Sequence, residues 1–281
     1  MKTASKIAIA KAAYRIIHPA RRLLGLSDIV ITHRNSITYE LDLAEGIDLA
    51  IYLGDRFEKS TKRALRSLVQ PGTVVLDVGA NIGAHTLYLA QLVGPSGRVM
   101  AFEPTDFAFR KLTRNLELNP SLAPRIRTYN CFLVANDGDC APTAIYSSWP
   151  LVREPELHAK HLGRAMPTDR ATTRTVDSIL TEAGNPPVSL VKLDVDGFEC
   201  QILRGATKLL RDQRPIFVME LAPYVLDERG TSLAELLSLL RSNEYSLFDE
   251  RAQAPIRLDV SLLNELIGDG ESINVVARAR L

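Results

Sequence analysis

Cysteine is scarce in this chain: Cys131, Cys140 and Cys200 are the only three in 281 residues. Their number is odd and none stands in a C-x-x-C spacing. That excludes a disulfide framework or a zinc knuckle and points to reduced thiols in a cytoplasmic protein. Long apolar runs are missing too. No stretch approaches the roughly 18 residues needed to span a bilayer, and the first residues lack the continuous apolar core of a signal peptide. Neither sign of charge is in excess. Lys and Arg number 34 against 33 Asp and Glu, with a net charge of +1 and a pI near 7.7, so nothing draws the chain toward nucleic acid. The G-x-G-x-x-G loop of dinucleotide-binding proteins is also absent. What is present, with an apolar fraction of 46%, is a globular composition long enough for one α/β domain with N-terminal elaborations, or two small domains at most.

The most informative stretch is Val74 to Gly83. The β-branched run Val74 to Val78, broken only by Asp77, predicts a central parallel strand buried on both faces. Pro71-Gly72 punctuates its entry, and a helix follows at Ala84 to Val93. Between them lies G-x-x-x-G, with Gly79, Asn81 and Gly83 expected beside a ligand that approaches the backbone closely. Asp77 would repel a phosphate but would suit a cationic or amino-bearing ligand. S-adenosylmethionine has a sulfonium, an α-amino group and no phosphate. Glu103 ends the next strand (Arg98 to Phe102), where an acid can accept both ribose hydroxyls of such a ligand.

Taken in order, residues 5 to 24 read as a helix with Ala10, Ala13, Tyr14 and Ile17 on one face and Lys2, Lys6, Lys11, Arg15, Arg21 and Arg22 on the polar side. Packing on the domain with a solvated basic face is the expected role. Weak contact with an anionic membrane surface is the alternative, and the alanine-rich stripe would bury little area in lipid. Ile37 to Leu43 and Ile47 to Leu53 alternate about Glu45-Gly46 and predict a β-hairpin. Asp55 to Leu68 predicts a helix. Hairpin and helix are expected to cover the cofactor end of the sheet, so residues 1–70 form an N-terminal part and 71–281 the main domain. A helix then runs to Asn119-Pro120, with Phe109, Leu112 and Leu116 in register, and Ile126 to Val134 reads as the third strand. The turn Asn136-Asp137-Gly138 is expected to face the adenine side of the pocket through Asn136.

Residues 139–175 are the least regular, with Pro142, Pro150, Pro155, Pro167 and the single Trp149, and read as a substrate-specificity insertion. His158 and His161 within it read as a solvated pair, since no carboxylate or cysteine completes a metal set. Asn185-Pro186-Pro187-Val188 resembles the N-P-P-aromatic loop of enzymes that methylate amide or nucleobase nitrogens. It precedes its strand and lacks the aromatic, so it is a turn. Strands at Pro187 to Leu193, Pro215 to Met219, Tyr245 to Phe248 and Ile273 to Ala277 alternate with helices, which predicts a mainly parallel sheet covered on both sides.

These motifs together resemble the FkbM family of S-adenosylmethionine-dependent methyltransferases. The resemblance rests on D-V-G-A-N-I-G at Asp77 to Gly83 and A-F-E-P at Ala101 to Pro104. It continues through V-K-L-D-V-D-G-F-E at Val191 to Glu199, L-R-G-A at Leu203 to Ala206 and P-I-F-V-M-E at Pro215 to Glu220. Phe57-Glu58 and Asn274 to Arg278 also match family positions. The one departure is Asp196, where the family usually has Glu. The resemblance implies a class I methyltransferase fold: a Rossmann-like, seven-stranded, mostly parallel sheet with the last strand antiparallel and helices on both faces. It also implies O-methylation of a hydroxyl on a small molecule or glycan.

Reacting groups belong beyond the carboxyl ends of the strands of such a sheet. That nominates Asp194, Asp196 and Glu220, with Asp194 first for contact with the reacting end and for orienting the acceptor, Glu220 next, and the identity of the base left open among them. Asp196 has helix capping as an equal alternative, and Glu199 sits where it would favour a helix dipole. His85 reads as a packed helix histidine with a base role as alternative. A carboxylate cluster would also suit Mg²⁺, although no matching Asn-Asp pair stands in the sequence, and no metal is expected. Two other functions compete: a non-catalytic adaptor that keeps the fold, and an NAD(P)-dependent dehydrogenase.

Overall fold

A computed structural model describes residues 3–54, 57–154, 157–160 and 162–280, with side chains from Ile7 onward. Lys2, Asp55, Pro155 and His161, each named above, lie outside these residues, as does the side chain of Lys6. The chain opens with α1 (Thr3–Leu23), β1 (Ile29–Arg34), β2 (Ile37–Asp42), α2 (Gly46–Tyr52) and α3 (Lys59–Leu68). The first core unit follows as β3 (Val74–Val78), α4 (Ala84–Leu92), β4 (Arg98–Phe102), α5 (Asp106–Glu117) and β5 (Ile126–Tyr129). Three short strands, β6 (Cys131–Leu133), β7 (Ala144–Ser148) and β8 (Arg164–Pro167), lead to β9 (Thr172–Arg174) and α6 (Val176–Glu182). The second core unit is β10 (Val188–Leu193), α7 (Glu199–Arg204), β11 (Ile216–Leu221), α8 (Pro223–Glu228) and α9 (Leu233–Ser242). The last elements are β12 (Tyr245–Asp249), β13 (Pro255–Ile256), α10 (Val260–Ile267) and β14 (Ile273–Ala279).

The central sheet has the order β13-β12-β14-β11-β10-β3-β4-β5. Strands β11, β10, β3, β4 and β5 are parallel, and β14 runs antiparallel between β11 and β12. This is the seven-stranded arrangement the sequence implies, extended by the two-residue edge strand β13. Alternation along each strand explains why both faces are covered. Leu76, Val78, Val191, Leu193, Phe217 and Met219 enter one core with α6, α7 and α9. Val75, Val99, Leu190, Val218 and Val276 enter the other, with α4 and residues from β2, α2 and α3. Residues before position 70 therefore share a core with the sheet.

Several sequence expectations are corrected. The hairpin is β1–β2, turning at Asn35-Ser36, and not a pairing of 37–43 with 47–53. Both turn residues have positive φ, 50° and 62°, as a type I′ turn requires. Residues 47–53 alternate in sequence, but Gly46–Tyr52 forms α2: the adjacent Asp48 and Leu49 are both buried with Ile51, which strand alternation would not allow, and Asp48 accepts a hydrogen bond from the Asp42 amide at 2.6 Å. The third strand breaks at Asn130, whose side chain donates to the Glu103 carbonyl at 3.0 Å. Beyond it β6 leaves the sheet to pair with β9. Glu220 lies inside β11, one residue before its end, and the helices α8 and α10 were not anticipated.

The hairpin is fastened by two amides on one turn of the α5 segment. Asn119 accepts from the Thr38 amide at 2.9 Å, and Asn115 accepts from the Glu40 amide at 2.8 Å while donating to the Ile82 carbonyl at 2.9 Å. These side chains occupy backbone groups on the open edge of β2 and tie it to the glycine loop. Of α1, the stripe Ala10, Ala13, Tyr14 and Ile17 packs on Leu43, Leu49 and Leu151, as expected.

Gly205 explains the close contact of α7 with the chain after β6: a Cβ there would stand 2.1 Å from the Val134 carbonyl oxygen. Backbone cannot yield as a side chain does. Gly205→Ala should therefore lower stability by about 1–3 kcal/mol, read as a reduced urea midpoint. An unchanged midpoint would mean that the two segments separate at no cost.

Candidate active site

The loop after β3 folds back on its own protein. The Gly79 and Ala80 amides both donate to the Phe102 carbonyl, at 3.1 and 2.9 Å, and Gly83 donates to Ala80 at 2.9 Å. The Asn81 amide donates to Glu103 Oε2 at 2.9 Å, and Ile82 donates to the Asn81 side-chain oxygen at 2.8 Å. Every N–H from Gly79 to Gly83 is thus used internally, leaving no amide cradle for a pyrophosphate. That argues against the dehydrogenase reading on the loop's own geometry.

Gly79 has φ +80°, and a Cβ on it would stand 1.9 Å from the Asp194 carbonyl oxygen. The missing side chain lets the tips of β3 and β10 meet. Gly83 does not line the cavity. A Cβ on it would meet Leu112 at 2.7 Å, so its missing side chain lets α5 pack closely.

Beside this loop opens a cavity of about 790 Å³, within the roughly 300–1,000 Å³ of small-molecule sites. Gly79, Asn81 and Glu103 line it, with Phe102, Phe132, Leu133 and Ile145 as apolar walls. Glu103 is buried. Its Oε1 accepts from the Thr105 amide and hydroxyl at 2.9 and 2.5 Å, while Oε2 accepts only from Asn81. Burial holds this carboxyl above its ordinary range, against the hydrogen bonds from Thr105 and Asn81. Oε2 keeps acceptor capacity that hydroxyl donors would satisfy. Asn136 does not line the cavity; its side chain is 3.3 Å from Asp139 and exposed, because the chain has left the sheet with β6. From the 139–175 insertion the cavity takes Ile145, Ser147 and Trp149. His158, expected to be solvated, packs edge-on to Tyr146 at 4.8 Å and pairs with Glu228 at 2.9 Å.

On the β10–β11 side of β3 the cavity is acidic. Asp194, Asp196 and Glu220 all line it, as do Glu58 and His85, which are 2.7 Å apart. Ser272 donates to Glu220 at 2.5 Å. Burial, and for Asp196 and Glu220 the neighbouring acids, hold the three carboxyls above their usual range. Asp77 is not among the lining residues. It lies under the loop, fully buried, accepting from Thr86 at 2.6 Å and standing 3.5 Å from the Lys192 ammonium. Asp77, expected beside a cationic ligand, thus stands behind the loop that lines the cavity. Lys192, which the sequence reading missed, donates to the Gly79 carbonyl at 2.8 Å and lies 3.5 Å from Asp194. Burial opposes its charge, but Asp194 and Asp77 outweigh that and keep the ammonium charged. Its signal in the sequence was a lone lysine inside the apolar run Val188 to Leu193. Among the described residues, no three His, Cys, Asp or Glu side chains are arranged to hold a metal ion.

The donor set fits S-adenosylmethionine: Glu103 for ribose hydroxyls, apolar walls for adenine, and an acid-rich side for the positive charges. Sheet order and cavity together define a class I methyltransferase fold. Residues 77–247 match the Methyltransferase FkbM domain, and the chain belongs to that family. It is 26% identical to Methyltransferase sdnD of Sordaria araneosa over 155 residues, 47% of this chain and 59% of that protein. It is 28% identical to the hexuronic acid methyltransferase AglP of Haloferax volcanii over 166 residues, 58% of this chain and 62% of that protein. It is 26% identical to the 2-O-methyltransferase NoeI of Sinorhizobium fredii over 196 residues, 66% of this chain and 78% of that protein. The matches thus span less than two thirds of the first two relatives' own lengths.

Glu199, buried in the first turn of α7, gives the acidic side a measurable pH signature. Burial pushes its carboxyl from 4.5 up to about 7. The folded state then holds this proton where the unfolded state has lost it, so stability falls as pH rises between those values. The loss is about 3 kcal/mol. Glu199→Gln should remove it, so that urea midpoints of variant and parent diverge in the variant's favour from pH 5 to 8. Parallel curves would show that Glu199 ionises as an ordinary carboxyl.

Proposed function

We propose that the protein transfers a methyl group from S-adenosylmethionine to a hydroxyl oxygen of a small molecule or glycan. The observation that carries this reading is one cavity lined by Glu103 from the tip of β4 and, across β3, by Asp194, Asp196 and Glu220 from β10 and β11. Two relatives named for hexuronic acid methylation and 2-O-methylation support a sugar hydroxyl as acceptor.

When bound, S-adenosylmethionine supplies an electrophilic methyl carbon on a sulfonium. Glu103 and Asn81 hold its ribose side, and the acids favour its positive charges. Asp194 orients the acceptor hydroxyl and draws its proton. Its side chain is 32% exposed, open enough to meet an acceptor, while Lys192 at 3.5 Å fixes its position. Such a base typically contributes about 10²–10⁴-fold. Glu58, paired with His85, is a further carboxylate lining the cavity, so His85 acts on the site through Glu58. The insertion residues Ser147 and Trp149 and the segment before residue 70 form the wall that selects the acceptor.

Saturation with S-adenosylhomocysteine at 100 times its Kd should add about 2.7 kcal/mol to stability, seen as a raised Tm, and NAD should add nothing. A shift with NAD alone would restore the dehydrogenase, and no shift with either would favour an adaptor. Glu103→Gln should weaken that binding. Asp194→Asn should keep it and lower kcat on a responding sugar acceptor by about 10²–10⁴-fold. Full turnover by Asp194→Asn would move the base elsewhere.

A further inference from the structure

Helix α1 has a second apolar face that its inner packing leaves outside. Ile9, Ile16 and Leu23 recur at seven-residue spacing, a straight line along a helix, and are 61, 74 and 91% exposed. Leu24 and Leu26 after the helix, and Ile29 and Ile31 of β1, are exposed as well. Most exposed large apolar side chains of the described residues therefore lie in one short stretch of chain. The alanine stripe that would bury little in lipid is the face turned to the protein; the outer face carries isoleucine and leucine instead.

Along α1 the charge beside this stripe is of one sign, whereas on β1 Ile29 and Ile31 stand opposite Asp42 and Glu40 of β2. Lys11, Arg15 and Arg22 follow one flank of the helix, and the first acid in the chain is Asp28, which is engaged by Tyr14 at 2.9 Å and His18 at 2.5 Å. A second copy of the chain docked on the stripe would bring like charges together. An anionic bilayer surface supplies the opposite charge and an apolar layer for the isoleucines. Among the described residues no helix is long and apolar enough to cross a membrane, so α1 would lie in the surface plane. The same helix walls the cavity with Ile9, Ala10 and Ala13.

We propose that the outer face of α1 forms a docking surface for anionic membrane, beside the cavity that the same helix helps to wall. Docking itself does not depend on the methyl-transfer reading.

The test is flotation of the full chain with vesicles of phosphatidylcholine alone and of phosphatidylcholine with an equal part of phosphatidylglycerol. Binding should be about tenfold or more stronger on the anionic vesicles and weaken with salt. Two exposed-site variants, Ile16→Asp/Leu23→Asp and Arg15→Glu/Arg22→Glu, should each lose it about tenfold or more while keeping the parent's Tm and S-adenosylhomocysteine shift. Absence of binding to either vesicle, or binding undiminished in both variants, would overturn the proposal. So would a concentration-dependent dimer that Ile16→Asp/Leu23→Asp disperses without any vesicle binding. Loss of the S-adenosylhomocysteine shift in the parent would count against the function proposed above and leave docking standing.

Discussion

The Lys192 ammonium, buried in the middle of the sheet, is the interaction on which the site depends. It reaches Asp77 from the strand before the loop, Asp194 from its own strand tip, and the Gly79 carbonyl between them. Burying such charges is expensive, and removing one partner typically costs about 3–5 kcal/mol because the others are left uncompensated. Here three groups from two adjacent strands satisfy one cation. Strand register brings them together: Lys192 pairs with Asp77 across β10 and β3. Gly79 completes the arrangement, since any side chain there would collide with the Asp194 backbone. One contact between strand tips thereby sets the loop's shape, Asp194's position and the local charge.

That contact also explains what kind of ligand the site favours. A loop whose five amides are consumed internally offers no positive potential to a phosphate. The selective groups left are carboxylates, and burial makes them reluctant to ionise without a positive partner. A ligand carrying a sulfonium and an amine relieves that strain in proportion to its charge. The acids at the strand tips divide into two sets by position. Asp77 acts from behind, by fixing the lysine that holds Asp194, and the carboxylates facing the cavity come from the ends of β10 and β11.

The sheet was legible because a strand buried on both faces must be apolar nearly throughout, and β3, β10 and β11 are. Glu103 was legible because a strand end has a defined place beside the loop. Three readings failed for local reasons. Residues 47–53 alternate in sequence, yet a seven-residue helix held between two packed sides buries the same Leu49 and Ile51. The true hairpin turns on Asn35-Ser36, which lacks the glycine that usually marks a type I′ turn. Asn136 was placed by continuing the third strand straight on, whereas the break at Asn130 carries the chain away. Lys192 was overlooked, although a lysine amid β-branched residues demands acidic partners, and Asp77 and Asp194 were the nearest available.

The cavity's two halves have different origins in the chain. Glu103, Asn81 and the strand-tip acids come from the sheet and its first loop, held by the lysine and by backbone bonds. The remaining walls come from α1, α2, the region of Phe57 to Arg63, and the insertion through Ile145, Ser147 and Trp149. These additions are bound to one another: Gly46 donates to the Trp149 carbonyl at 2.9 Å, Glu45 accepts from Ser148 at 2.6 Å, and Arg164 pairs with Glu45 at 3.0 Å. The insertion and the N-terminal segment therefore form one wall, fastened to the core by Asn115 and Asn119 through the hairpin. On the proposed reading, changes in that wall would alter which hydroxyl is admitted without disturbing the lysine-centred contact that positions the methyl donor. The two halves still meet: Asn81 of the loop donates to the Ser147 carbonyl at 3.2 Å, and Asn115 joins the hairpin to the Ile82 carbonyl, so the wall is held in register with the donor loop.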